Sequence, residues 1–262
     1  METGKKVNSK ILAPQRRLSL SASDRAALRR PPSKALLGVL FLVALALLPA
    51  LPGIVRAIGL EVFLPRRAAW LVAGVPAPCV FFAAGFFVFA LFFVFRRVPP
   101  VSYVAVHEAT HALFGLLSGA KVSRLKIGKD AGSVDISRRN AAILLAPYFF
   151  PLPLAGVLAA FGATRPIPAF GGDTAIGVFA AVAGVAWGFH FCWTVNALLQ
   201  YQTDLDAYGF FFSTILLLVL NAFALWLAVV VLCGAAQAEA WSDLARTVAD
   251  TYLWTLDAIN SR

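Results

Sequence analysis

Charge is scarce in this chain: only 14% of its 262 residues are Asp, Glu, Lys or Arg, while 60% are hydrophobic. A soluble globular domain carries about a quarter charged residues, and a disordered chain has few large apolar side chains, so both classes are excluded. Cysteine is rare, at three residues. Cys79, Cys192 and Cys233 all fall in apolar stretches without paired spacing, which argues against a disulfide framework or a thiolate metal site and reads as small core side chains. Acidic residues are few, 13 against 23 Lys and Arg, and nine of the cations lie between Lys5 and Lys34. A basic tail on an apolar chain points to anionic lipid headgroups as its partner and not to nucleic acid. A cleavable secretory leader is not expected, because the first 34 residues are polar and the run that follows lacks a small-residue cleavage site.

What the chain has in abundance is apolar sequence of bilayer length. Six runs follow one another: Ala35 to Val55, Ala68 to Phe95, Val101 to Leu117, Ala141 to Phe161, Ala175 to Leu199 and Gly209 to Cys233. A crossing helix needs about 20 such residues, so five qualify outright and Val101 to Leu117 is short. Pro49, Pro52, Pro76, Pro78, Pro147, Pro151 and Pro153 lie in or beside the runs and predict kinks or unwound turns. Lys121 to Ser137 alternates apolar and polar residues around Gly128 and Gly132, the pattern of a short β-hairpin. After residue 235, Trp241, Leu244, Val248, Tyr252, Leu256 and Ile259 form a helical stripe opposite Asp243, Arg246, Asp250 and Asp257, the pattern of an interfacial or docking helix. The expected fold is therefore an all-α polytopic membrane protein. It has a basic disordered tail (1–34), a membrane domain of about six transmembrane helices with a hairpin loop (35–235), and a C-terminal amphipathic helix (236–262).

The short third run contains the only charged side chain inside any of the six, in the string His107-Glu108-Ala-Thr-His111, an HExxH. On an α-helix, residues four apart share a face, so the two imidazoles converge on one point and suit a zinc ion. Glu108, rotated by about 100°, falls beside that point, where a carboxylate can take a proton from a metal-activated water and pass it to a leaving amine. Ionisable groups within a membrane segment are expensive unless paired or metal-bound, and mark function. A helix pair merely hydrogen-bonded through these groups explains their polarity but not their spacing. Two imidazoles leave a catalytic zinc site one ligand short. His190 is the only other histidine, and Asp204 and Asp206 follow the fifth run. In a continuous helix His190 and Asp204 lie about 21 Å apart, so they are alternatives.

At these residues the chain resembles the site-2 proteases, zinc metalloproteases that cut within the bilayer. That family pairs an HExxH with, two helices later, an Asn followed eight residues on by a zinc-binding Asp; here Asn196 is followed by Asp204 at that spacing. The resemblance implies His107, His111 and Asp204 as Zn2+ ligands, Glu108 as catalytic base and Asn196 as a polar catalytic group facing the substrate or the developing oxyanion. It also implies a hairpin-like loop near the active site, a small-residue-Pro helix start at Leu145-Ala-Pro147, and a single-span membrane protein as substrate. It covers about half the chain, Val101 to Cys233. The family's Gly after the ligand Asp and Pro after the Asn are here Leu205 and Ala197, which keeps Asp206 as a rival ligand; His190 reads as a group bonded to a neighbouring helix. Two other readings stand beside it. A prenyl-protein-type peptidase would want a Glu ligand, and the only Glu after Glu108 is Glu239, outside the runs. A non-catalytic protein, a degenerate protease or a cation transporter, would use the same polar groups without hydrolysis. The expected location is a bacterial-type cell membrane with a cytosolic tail. Six crossings would then put the tail and the basic Lys121 to Arg139 loop on opposite sides, against the positive-inside tendency, so the face of the active site stays open.

Overall fold

The computed structural model describes residues 33–63, 71–72, 74–129, 131–200, 203–233 and 237–261. The basic tail before Ser33 lies outside the described residues. The remainder is helical apart from two small antiparallel ladders.

The first run folds as two helices, α1 (Lys34–Leu47) and α2 (Ala50–Phe63), with Ser33 capping α1 through its hydroxyl. Pro49 and Pro52 each lack an N–H, which breaks the helical ladder where the two meet. In the second run the residues Leu71–Val72 (β1) and Val75–Pro76 (β2) pair, and the helix α3 begins only at Ala77 and continues to Val94. Pro78 stands in its first turn, where a missing N–H leaves no helical partner wanting. α4 (Pro100–Leu117) carries the HExxH. The strands β3 (Val122–Ile127) and β4 (Gly132–Ile136) form the expected hairpin, with a bulge between Ser123 and Lys126 where Arg124 takes φ +49°. The fourth run is a pair, α5 (Ala141–Phe149) and α6 (Leu152–Thr164), bent by 75° where Phe150 and Pro151 interrupt them. Then come α7 (Asp173–Leu198), the short α8 (Thr203–Asp206), α9 (Phe210–Cys233) and α10 (Gln237–Asn260).

Four helical segments are long and apolar enough to cross a membrane, Lys34–Phe63, α3, α7 and α9, and five if the bent α5–α6 pair counts as one span. The six expected crossings thus become four or five. α4 falls short because His107, Glu108, Thr110 and His111 dilute its apolar content within 18 residues. The lipid-ward faces are what a membrane requires: Phe87, Leu91, Phe92 and Val94 of α3 are each more than half exposed.

In an apolar solvent burial drives little association, so helices meet where small residues let backbones approach. α3 and α7 run parallel along such a seam. A Cβ on Gly85 would stand 2.0 Å from the Ala181 carbonyl oxygen, one on Gly184 1.9 Å from that of Phe82, and one on Gly188 3.0 Å from the Phe89 Cβ. The GxxxG of α7 therefore serves packing within the chain. Farther along, Phe93 and Trp193 meet edge to face at 5.0 Å.

α10 docks on the broken first span. Leu244 and Thr247 are buried, a Cβ on Gly53 would lie 2.6 Å from the Val248 Cα, and two hydroxyls supply the carbonyls near the break: Thr251 donates to Pro49 (2.7 Å) and Tyr252 to Ala46 (2.6 Å). Of the predicted stripe, Leu244 is buried and Val248 and Tyr252 are half-buried, whereas Trp241, Leu256 and Ile259 are exposed. At the opposite end of the first span Leu37 abuts Gly209, and Phe41 meets Phe211 at 5.2 Å, so α1 and α9 start at the same end of the bundle. The cysteines are half-buried rather than core, and Cys79 and Cys233 bring their sulfurs to 3.1 Å.

Candidate metal centre

α4 buries one stripe, Tyr103, Val104, His107, Glu108, Thr110, His111 and Gly115, which puts the whole motif inside the protein. Its C-terminus is a Schellman turn: Gly119 (φ +69°) donates to the Leu116 carbonyl and Ala120 to that of Gly115, so the chain leaves sharply for the hairpin. Gly115 lies under Val122 and Ile136. β4 crosses back over the motif, and a Cβ at Gly132 would fall 2.6 Å from the Glu108 Cγ and 2.7 Å from a Val104 methyl. Only glycine lets the hairpin lie this close to the carboxylate.

His107 and His111 present their Nε2 atoms to each other at 3.1 Å, both rings buried. The His111 Nδ1 lies 2.7 Å from the Ile143 carbonyl oxygen, and since a carbonyl only accepts, that nitrogen carries the proton and Nε2 keeps its lone pair. Pro147 explains why this carbonyl is available: four residues after Ile143, it has no N–H to close the helical bond. The start of α5 is fixed beside α4 by Asn140, whose Oδ1 caps the Ile143 N–H (2.8 Å) and whose Nδ2 donates to Ser118 (3.2 Å). Pro147, expected at a helix start, stands inside α5, and the interruption comes at Phe150 and Pro151.

Asp204, on α8, brings its carboxylate to the two imidazoles, and all three ligand atoms lie within 4.8 Å of one another. Among the described residues this is the one such group of three or more His, Cys, Asp or Glu; Asp206 and Glu239 are not part of it. α8 is held at the head of α9 by Ser213, whose hydroxyl donates to the Leu205 carbonyl (2.9 Å). Burial pushes the Asp204 carboxyl above its ordinary range, opposed by the charges of His111 and Arg139 and by the Tyr148 hydroxyl, which donates to Oδ2 at 3.4 Å. Tyr148 is fully buried and its ring meets that of His107 at 5.4 Å.

His190 is not at this cluster. Its Nε2 lies 2.9 Å from the Asn221 Oδ1, while the Asn221 amide nitrogen donates to the carbonyls of Tyr148 (2.9 Å) and Leu217 (2.8 Å). Two carbonyl acceptors fix the amide's orientation, so His190 is the donor to Oδ1. It bonds to a neighbouring helix, and the chain from His190 through Asn221 ends on the backbone of Tyr148. Asn196 sits half-buried in the last turn of α7, and among the described residues its side chain makes no hydrogen bond to the three ligands.

The donor set fits a metal ion. Two ligand nitrogens on a tetrahedral zinc at about 2.0–2.1 Å would stand roughly 3.3 Å apart, close to the 3.1 Å between the two Nε2 atoms. Glu108 Oε2 is buried without a hydrogen-bond partner, poised beside the cluster but not in it. Tyr148 and Asn221 were not anticipated from sequence, since an isolated Tyr or Asn in an apolar run carries no spacing signal. Comparison with known protein families, curated proteins and solved structures finds no match for this chain.

Proposed function

We propose that this protein is a zinc-dependent intramembrane endopeptidase of the site-2 protease kind, hydrolysing a peptide bond of a single-span membrane protein. The observation that carries the reading is the convergence of His107 and His111 with Asp204, from a distant part of the chain, around one buried point with Glu108 beside it. His107, His111 and Asp204 would hold the ion. Zinc in such a site acidifies a bound water and polarises a carbonyl. Glu108 takes the proton from the attacking water and delivers it to the departing amine. His111 is kept in the required tautomer by Ile143, and Asp204 is oriented by Tyr148. Asn196, half a helix turn from the end of α7, faces substrate or the developing oxyanion, as the resemblance implies.

A transmembrane substrate must unwind before its amides can react. β3, exposed from Ser123 to Ile127 while β4 is more deeply buried, offers an edge for the extended segment. The ligand end is the cytosolic end in this reading. α1 and α9 start together there, so the basic tail and the cations Lys121, Arg124, Lys126, Lys129, Arg138 and Arg139 share a side once α4 is not counted as a crossing. The tail then lies against anionic headgroups, in a bacterial-type cell membrane.

Glu108→Gln tests the reading. The purified variant should retain about one zinc per chain and lose cleavage of a reconstituted single-span substrate by roughly 100- to 10,000-fold. Wild-type protein that purifies with no zinc and takes none up would favour the non-catalytic alternative.

A further inference from the structure

We propose that Cys79 and Cys233 are a redox pair that closes to a disulfide, stapling α3 to α9 at the end of the bundle away from the metal ligands. Cys79 lies in the first turn of α3 and Cys233 is the last residue of α9, and their sulfurs are 3.1 Å apart. A disulfide bond is about 2.05 Å long, so a movement of roughly 1 Å joins them. Such proximity between residues 154 positions apart is not enforced by local chain geometry. Both side chains are half-buried at helix ends, within reach of a small oxidant from the membrane surface.

The location separates the pair from the hydrolytic site. α9 begins beside α8, which carries Asp204, and ends at Cys233, about 35 Å away along 24 helical residues. α3 and α7 run parallel, so Cys79 lies at the far end and Cys192, beside Trp193 near the ligand end of α7, has no part in the staple. The proposal therefore does not rest on the protease reading. In the topology above, this end faces away from the cytosol, the side on which disulfides persist.

The oxidant is a small-molecule disulfide such as oxidised glutathione. One protein thiolate attacks it, forming a mixed disulfide and releasing one reduced glutathione; the second thiolate then attacks the protein sulfur of that mixed disulfide and releases the other. Two protein thiols lose two electrons and two protons, and one glutathione disulfide becomes two thiols. A dithiol reverses the exchange. The bond would fix the spacing of α3 and α9 at this end of the bundle.

The test uses wild-type protein in membranes, treated with oxidised glutathione or with dithiothreitol, then denatured and alkylated with N-ethylmaleimide before intact-mass measurement. The expected result is one alkylation after oxidation and three after reduction, with a cross-linked peptide containing Cys79 and Cys233. A Cys192→Ser variant should show none and two. Three alkylations after oxidation, glutathione retained singly on Cys79 or Cys233, or a bond to Cys192 would each overturn the proposal.

Discussion

At the scale of single residues, the proposed metal centre depends on a carbonyl that a proline sets free. Pro147 gives Ile143 no N–H to bond, and His111 uses the carbonyl to hold its ring. In Pro147→Ala the new N–H competes for that oxygen. Zinc affinity should fall about 10- to 100-fold, while the metal-free protein gains stability because proline inside a helix is unfavourable by about 3 kcal/mol; competition with a chelator and thermal unfolding measure the two. A rise in both would show that the carbonyl does not orient the ligand. The choice of acid is tested likewise: Asp204→Ala should lose zinc and Asp206→Ala should keep it, and the reverse would reassign the third ligand.

The HExxH pair was legible because its geometry is local: any α-helix brings residues four apart onto one face. Asp204 was reached through the resemblance, since no local rule connects it to α4, and spacing alone left Asp206 and His190 in contention. Tyr148, Asn221 and the Cys79–Cys233 contact were illegible for the same reason. Each is made by tertiary packing between segments whose order in sequence says nothing of their neighbours.

At the scale of elements, the seam between α3 and α7 is the most demanding contact. Replacing Gly184 with Leu forces two backbones apart, because its Cβ would fall 1.9 Å from the Phe82 oxygen. Overpacking of this kind costs about 1–3 kcal/mol. The unfolding midpoint in detergent should drop, whereas Gly162→Ala on α6, with open space around it, should leave the midpoint unchanged or raise it slightly. Equal midpoints for Gly184→Leu and wild type would mean that the seam opens freely. Helix positions were largely readable from apolar run length, and the hairpin from its alternation. The break between α1 and α2 and the late start of α3 followed the prolines. What run length does not reveal is whether a helix traverses the bilayer, and α4, diluted by the very groups that make the site, is where the count went astray.

At the scale of the whole molecule, the proposed topology is tested by which side two positions face. In a Cys-free background carrying Lys126→Cys or Gly171→Cys, an impermeant maleimide applied to intact cells should label position 171 and spare position 126 until the membrane is opened. Gly171 precedes α7, whose far end leads to Asp204, so the two positions lie on opposite sides in this topology. Labelling at 126 alone would turn the metal site outward.

The docking of α10 on the first span has a consequence for biosynthesis. Tyr252 reaches Ala46 across 206 positions, and Thr251 reaches Pro49 across 202. During synthesis the proline-broken span must wait in the membrane for hydroxyl donors encoded some 200 residues later. Until translation passes Tyr252, those carbonyls depend on borrowed partners such as water, lipid headgroups or the insertion machinery. The break between α1 and α2 therefore gains these two donors only about 200 residues after it has been made.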